Sequence, residues 1–173
     1  MSCRARLQST YDEYLRRLHG EPLEERRLLS ITVNTLVDEA DGNISDGDVS
    51  LRDAIALAPS GETINFADSL RGGTITLTLG ELVIDKSLSI DGPGADLLTV
   101  DASGNDPTPD SVLTDDATIA DDGDGSRVFN IDDGNSHSQA TVTLSGLTIS
   151  GGDVTGVGGG IRAWKTSRLS TRW

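Results

Sequence analysis

The sequence predicts an all-β fold, a parallel β-helix fragment closed by one short helix, on three observations. Between residues 74 and 149, apolar β segments of three to six residues recur, with Gly or Asp at nearly every junction. No ten-residue helical pattern separates them, which argues against βαβ units. Aromatic residues are only 3% of the 173, whereas Gly numbers 20; an antiparallel sandwich would want longer strands and more aromatic filler. In a β-helix each coil, expected at about 20 residues, stacks Val, Ile and Leu inside and relies on its neighbours to bury them.

The elements follow in order. Over 7–29 the spacing predicts a marginal helix: Leu7, Tyr11, Tyr14, Leu15 and Leu18 recur at three and four before Gly20 and Pro22 interrupt. A strand is expected over 31–36, then a turn-rich loop over 38–48. Residues 50–58 form the clearest helix, with Ser50 as N-cap and Asp53 in the first turn. Leu51, Ile55 and Ala58 share one face, and Pro59 with Gly61 stops the helix, which suits an N-terminal cap. Thr63, Ile64, Asn65 and Phe66 return to strand. Seven β segments follow, at 74–79, 82–84, 87–90, 98–100, 128–131, 141–144 and 147–149, alternating apolar and polar. The stretch 104–125 contains Pro107 and Pro109, which block a sheet ladder, and reads as a loop inserted into one coil.

Charge divides the chain more sharply than its net −14 implies. Residues 1–30, a leader or helical segment, sum to +1; 31–160 hold 23 acidic residues against Arg52, Arg71, Lys86 and Arg127. The tail over 162–173 is acid-free, +4, and carries both Trp164 and Trp173. The domain reading is therefore 1–30, a β-helix over 31–161, and a compositionally foreign tail. That tail fits a shifted reading frame or truncated gene, or alternatively a basic anchor or cap. The acidity argues against nucleic acid or an anionic membrane as partner, since like charges repel. No run reaches the roughly 18 apolar residues of a membrane span, nor does 11–29 offer the apolar core of a secretory signal. Cys3 is alone, which excludes an intrachain disulfide and a Cys-based zinc site. His19 and His137 are too far apart in sequence to argue for a transition-metal site. The glycines at 151–160 lead into no Lys-Ser/Thr step, so they read as solenoid turns and not as a phosphate loop.

The chemistry expected is slight. No catalytic or cofactor-binding residue is assigned. Carboxylates abound but sit in turns, and Arg71, Lys86 and Arg127 stand in no catalytic spacing. Calcium is the one candidate ligand. Asp122, Asp124 and Ser126 alternate, with Asn130 and Asp133 beyond, imitating the oxygen spacing of a calcium loop. Arg127 stands where the sharp turn wants Gly, and the bidentate Glu is missing. Asp38, Asp41, Asn43, Asp46 and Asp48 make a second oxygen-rich loop. Solvated loops are the plainer reading of both.

Ser50-Leu51-Arg52-Asp53-Ala54-Ile55, followed by Gly61-Glu62-Thr63-Ile64-Asn65-Phe66, resembles the CSLREA-type module of bacterial surface proteins. Val49 stands where that module has Cys, and Asp53 where it has Glu. Gly158-Gly159-Gly160-Ile161 is similar to the Gly-Gly-x-Ile element of polymorphic outer-membrane protein repeats, without its Phe-x-x-Asn companion. The resemblance spans about 31–161. It implies the N-terminal end of a right-handed β-helix on a secreted or surface-anchored protein, with adhesion or surface binding to a glycan or protein as its role. Residues 22–30 also look like a leader element of large bacterial surface proteins. The expectation is therefore a non-catalytic, extracellular or cell-surface fragment; the alternative is a polysaccharide lyase or hydrolase lacking its active coils.

Overall fold

The computed structural model describes residues 30–107, 123–134, 140–164 and 168–172. The helix expected within 7–29, Asp122 of the calcium set and most of the inserted loop lie outside these residues.

Short strands follow from β-branched residues in alternation, with glycine breaks too frequent for a helix to propagate. They are β1 (Ser30–Val33), β2 (Glu62–Phe66), β3 (Gly73–Thr76), β4 (Leu82–Ile84), β5 (Leu88–Asp91), β6 (Leu98–Asp101), β7 (Phe129–Ile131), β8 (Thr141–Ser145), β9 (Thr148–Ser150), β10 (Ile161–Ala163) and β11 (Arg168–Arg172). One helix, α1 (Leu51–Leu57), lies between β1 and β2. All seven β segments expected after residue 73 appear as strands, within one to three residues at their ends.

The strands form three parallel sheets, in the orders β1-β2-β5-β8-β11, β3-β6-β9 and β4-β7-β10. From β2 onward the chain visits the first sheet, then the second, then the third, and returns to the first. The crossover that a parallel pair requires is thus supplied by one strand from each of the other two sheets. Register aligns like with like. Ile31, Ile64, Ile90 and Leu144 form one ladder, Ile75, Val100 and Ile149 a second, and Leu82, Phe129 and Ile161 a third. Seven of these ten side chains are buried in one continuous core, and Ile31, Ile149 and Ile161, at the ladder ends, are partly buried against it.

Strand partners one circuit apart are separated by 26 residues from Glu62 to Leu88, 25 from Gly73 to Leu98 and 27 from Thr141 to Arg168. This exceeds the expected 20 or so because the connections carry structure of their own, such as the 3-10 turn Asp68–Leu70. Ser89 and Thr143, also neighbours, are 54 residues apart. Most of the extra chain falls between β6 and β7, where the proline-containing stretch reads as an insertion.

Two strand ends differ from the sequence reading for a physical reason. The 31–36 segment stops at Val33 because Asn34 turns to residues 47–49: its amide N bonds Val49 O, its Oδ1 accepts from Val49 N, and its Nδ2 reaches Gly47 O. The 74–79 segment stops at Thr76 because the amides of Thr78 and Leu79 donate to Asp38 Oδ2. At the other end, composition divides the chain at 161 but the backbone does not. Arg162 and Ala163 continue β10, and β11 lies in register beside β8. No helix among the described residues is long and apolar enough to cross a membrane.

The parallel register has a direct test. In a Cys3→Ser background, Ser89→Cys with Thr143→Cys is expected to form a disulfide on mild oxidation. Adjacent strands hold their Cα atoms about 4.7–4.9 Å apart, within disulfide reach. Ser89→Cys with Thr99→Cys, on different sheets, is the negative control. Peptide mapping by mass spectrometry reads the bond; its absence from the 89–143 pair would overturn this register.

Candidate functional site

The residues of the Ser50–Ile55 motif build an end cap. Ser50 Oγ accepts from Asp53 N at 3.0 Å, and Ser50 Oγ lies 3.0 Å from Asp53 Oδ2. This is an N-cap in which the Asp of the third helical position bonds the capping hydroxyl itself. Asp53 Oδ1 accepts from Gly42 N, so both carboxylate oxygens of this buried residue are engaged in structure. Leu51, Ala54 and Ile55 are buried, and α1 packs against β4 and β1. Lys86 Nζ donates to Ala56 O and Ala58 O, carbonyls left open at the end of α1. In β2, Ile64 is fully buried while Thr63 and Phe66 are partly so.

Arg52 and Asp38 hold the cap to the sheets. Arg52 Nε donates to Asp38 Oδ1 at 2.7 Å and Nη2 to Oδ2 at 3.0 Å, a bidentate pair. Arg52 also donates to Gly80 O at 2.8 Å and Glu81 O at 3.1 Å, in the connection between β3 and β4. Asp38 Oδ2 accepts in addition from the amides of Thr78 and Leu79. The Asp38 side chain is 2% exposed. Burial alone would raise its pKa. The Arg52 hydrogen bonds and charge, with the two amides, outweigh that and hold it below the ordinary value.

Asp38 is therefore committed to Arg52, and the rest of the 38–48 loop has similar local duties. Asp41 Oδ1 accepts from Asn43 N, and Asn43 Oδ1 from Ser45 N. The Glu39 carboxyl is raised, by burial first and then by the negative charges of Asp48, Asp41, Asp53 and Asp46.

The sequence-predicted calcium residues that are described, Asp124, Ser126, Asn130 and Asp133, each have their own neighbours. Asn130, in β7, donates from Nδ2 to Glu81 Oε1 at 2.7 Å. Asp133 Oδ2 accepts from Ala140 N, and Ser126 Oγ accepts from Asn105 Nδ2 at 2.8 Å. Asp124 instead meets Asp106 and Asp153, with carboxylate oxygens within 4.8 Å of one another. Three remote segments bring these together: Asp106 just before Pro107, the 123–126 strip, and the turn after β9. Asp153 N donates to Ser126 O, and a side chain on Gly125 would crowd Asp153 and Asp106. Sequence spacing missed Asp106 and Asp153 because they are 18 and 29 residues from Asp124.

The Gly158–Ile161 element is backbone-driven. Gly158 has φ +82°, a conformation that favours Gly. A Cβ on Gly152 would collide with Gly159 O, so these turns can meet only as glycines. Gly160 O accepts from the amides of Val128 and Phe129, and Ile161 opens β10. Compared with protein-family models, with curated proteins and with solved structures, the chain gives no match.

Asp38→Asn is expected to lower stability at neutral pH by about 1.5–3 kcal/mol, as for a hydrogen-bonded charged group. A depressed folded pKa stabilises above the unfolded value and is lost as pH falls through the folded one. Urea denaturation should therefore show wild type and variant far apart at neutral pH and converging in acid. A variant as stable as wild type at neutral pH would rule out this role for Asp38.

Proposed function

We propose that the chain is a right-handed parallel β-helix, capped at its N-terminal end by α1, that serves as a non-catalytic binding module of an extracellular or cell-surface protein. The observation that carries the reading is the repeated passage of the chain through three parallel sheets with like residues in register. The resemblance of residues 50–55 and 61–66 to the CSLREA-type module supplies the handedness and the setting. The basic groups best suited to proton abstraction are used to build the fold: Lys86 on helix carbonyls, Arg71 on Asp68 and Arg127 on Glu81. A lyase or hydrolase is accordingly the weaker reading.

Purified chain presented to arrays of immobilised glycans and surface proteins is expected to be retained by a member of one array. The same preparation should release no unsaturated or reducing products from acidic polysaccharides. Turnover that scales with protein concentration would overturn the non-catalytic reading.

The reading extends to calcium at Asp106, Asp124 and Asp153, on the ground that hard oxygen donors suit this cation. Titration calorimetry is expected to show weak binding with an accompanying thermal shift, both diminished in Asp124→Asn and Asp153→Asn. No heat and no shift at millimolar calcium would reject it.

A further inference from the structure

The two ends of the sheet stack differ in charge. At one end β9, β10 and β11 are the last strands of their sheets among the described residues, and each leaves one backbone edge without a partner strand. Residues 161–173, which form β10 and β11, hold Arg162, Lys165, Arg168 and Arg172 and no acid. At the other end stand β1, α1 and the loop between them, with Glu39, Asp41, Asp46 and Asp48. Burial, and then the charges of Asp48, Asp41, Asp53 and Asp46, push the Glu39 carboxyl up. Arg52, the cation of this end, is taken by Asp38.

The same ends match as strands. β1 and β11 lie at opposite edges of one parallel sheet. One rank of that sheet runs from Ser30 through Thr63, Ser89 and Thr143 to Ser170, and the rank beside it runs from Ile31 to Thr171. A second copy, shifted along the stack without turning over, brings its β1 against β11 as a further parallel neighbour. Both ranks then continue, with Ser170 beside Ser30 of the next copy and Thr171 beside its Ile31. Arg172 falls beside Thr32 of that copy, two residues before Asn34. Asn34 is bonded to Gly47 O and Val49 N, so the basic strand end arrives next to the turn that carries Asp46 and Asp48.

The other two sheets are left two strand spacings apart at this junction, about 9–10 Å. A helix is about 10–12 Å thick with its side chains, and α1, packed against β1 and β4, stands at that gap. Leu57 of α1 is 42% exposed, and the circuit it would meet leaves Ile149 and Ile161 only partly buried.

We propose that this chain stacks head to tail with copies of itself, the basic β10–β11 end of one docking on the acidic β1–α1 end of the next. A twofold contact of either end with itself would set like charges together. Head-to-tail contact unites opposite charges and preserves parallel strand direction. Because it is heterologous, each added copy presents a new free end, and growth is linear and open. The stacking goes beyond the binding role proposed above and does not depend on it.

The test is sedimentation of the purified chain over a range of concentrations. Its sedimentation coefficient should rise with concentration at low salt, and high salt should raise the concentration needed tenfold or more. Asp46→Lys with Asp48→Lys, and Arg168→Glu with Arg172→Glu, should each abolish association at unchanged melting temperature. Mixing the two charge-reversed proteins should restore it, since each then offers the end the other lacks. In a Cys3→Ser background, Ser30→Cys and Ser170→Cys proteins mixed and mildly oxidised should give chiefly the 30–170 linked pair. A 170–170 pair as the main product shows a twofold contact and overturns the proposal. So does a chain that stays monomeric throughout, association undiminished by charge reversal, or a mixture that fails to associate.

Discussion

The Arg52–Asp38 pair bears on every later coil, because parallel coils bury their apolar faces only against one another and, among the described residues, β1 and α1 stand at the end of the stack. Asp38 anchors the amides of Thr78 and Leu79 and the guanidinium of Arg52, whose remaining donors hold Gly80 O and Glu81 O. One carboxylate thus joins the loop after β1, the helix α1 and the connection between β3 and β4. With Lys86 closing the far end of α1, the helix is pinned at both termini, and its apolar side is held over the first ladder. A seven-residue helix would not persist alone in water; here tertiary hydrogen bonds take over the role of length.

Beyond the cap, spacing between circuits is set where backbones meet. A Cβ on Gly92 would collide with Gly146 O, and one on Gly152 with Gly159 O. Gly92 and Gly146 come from successive circuits, so a side chain there would push those circuits apart and stretch the ladder bonds beside them, whereas Gly152 and Gly159 bring the two ends of one connection, that between β9 and β10, together. Gly92 N to Ser145 O and Gly94 N to Gly146 O are two such bonds. Glycine abundance is therefore partly a packing requirement between turns, separate from the positive φ that Gly146 and Gly158 also need. The scarcity of aromatics has a related origin. Aligned rungs fill the interior with Ile, Leu and Val, and among the described residues Phe129 is the one aromatic that is fully buried.

Local features were legible in the sequence because their causes are local. The Ser50 cap, the stop at Pro59 and the seven β segments follow from neighbours within a few residues. What escaped was long-range. Asp38 is 14 residues from Arg52 and 40 from Thr78, so it read as one more acid in an acidic loop. Asp124 read as part of a linear calcium loop, whereas its carboxylate neighbours arrive from either side of an insertion and from the turn after β9. The tail read as foreign by charge and tryptophan content, yet β11 lies parallel to β8. Strand pairing is satisfied by extended backbone, and Leu169 and Thr171 are compatible with it.

Asp38 and Glu62, both at the capped end, respond to acid in opposite senses. Asp38 is depressed, so its stabilisation is present above the unfolded value and is lost as pH falls through the folded one. Glu62 is 4% exposed, points inward beside Leu88, and has an oxygen without a partner; burial raises its pKa. Its neutral form suits the fold, so its contribution is full below the unfolded value and disappears as pH rises through the folded one. One side of the first circuit is thus secured by an ionised acid and the other by a protonated one. Both conditions are met together only in the interval between the two folded pKa values. Above its folded pKa Glu62 places charge in an apolar ladder, and the Arg52–Asp38 pair must hold the cap against it.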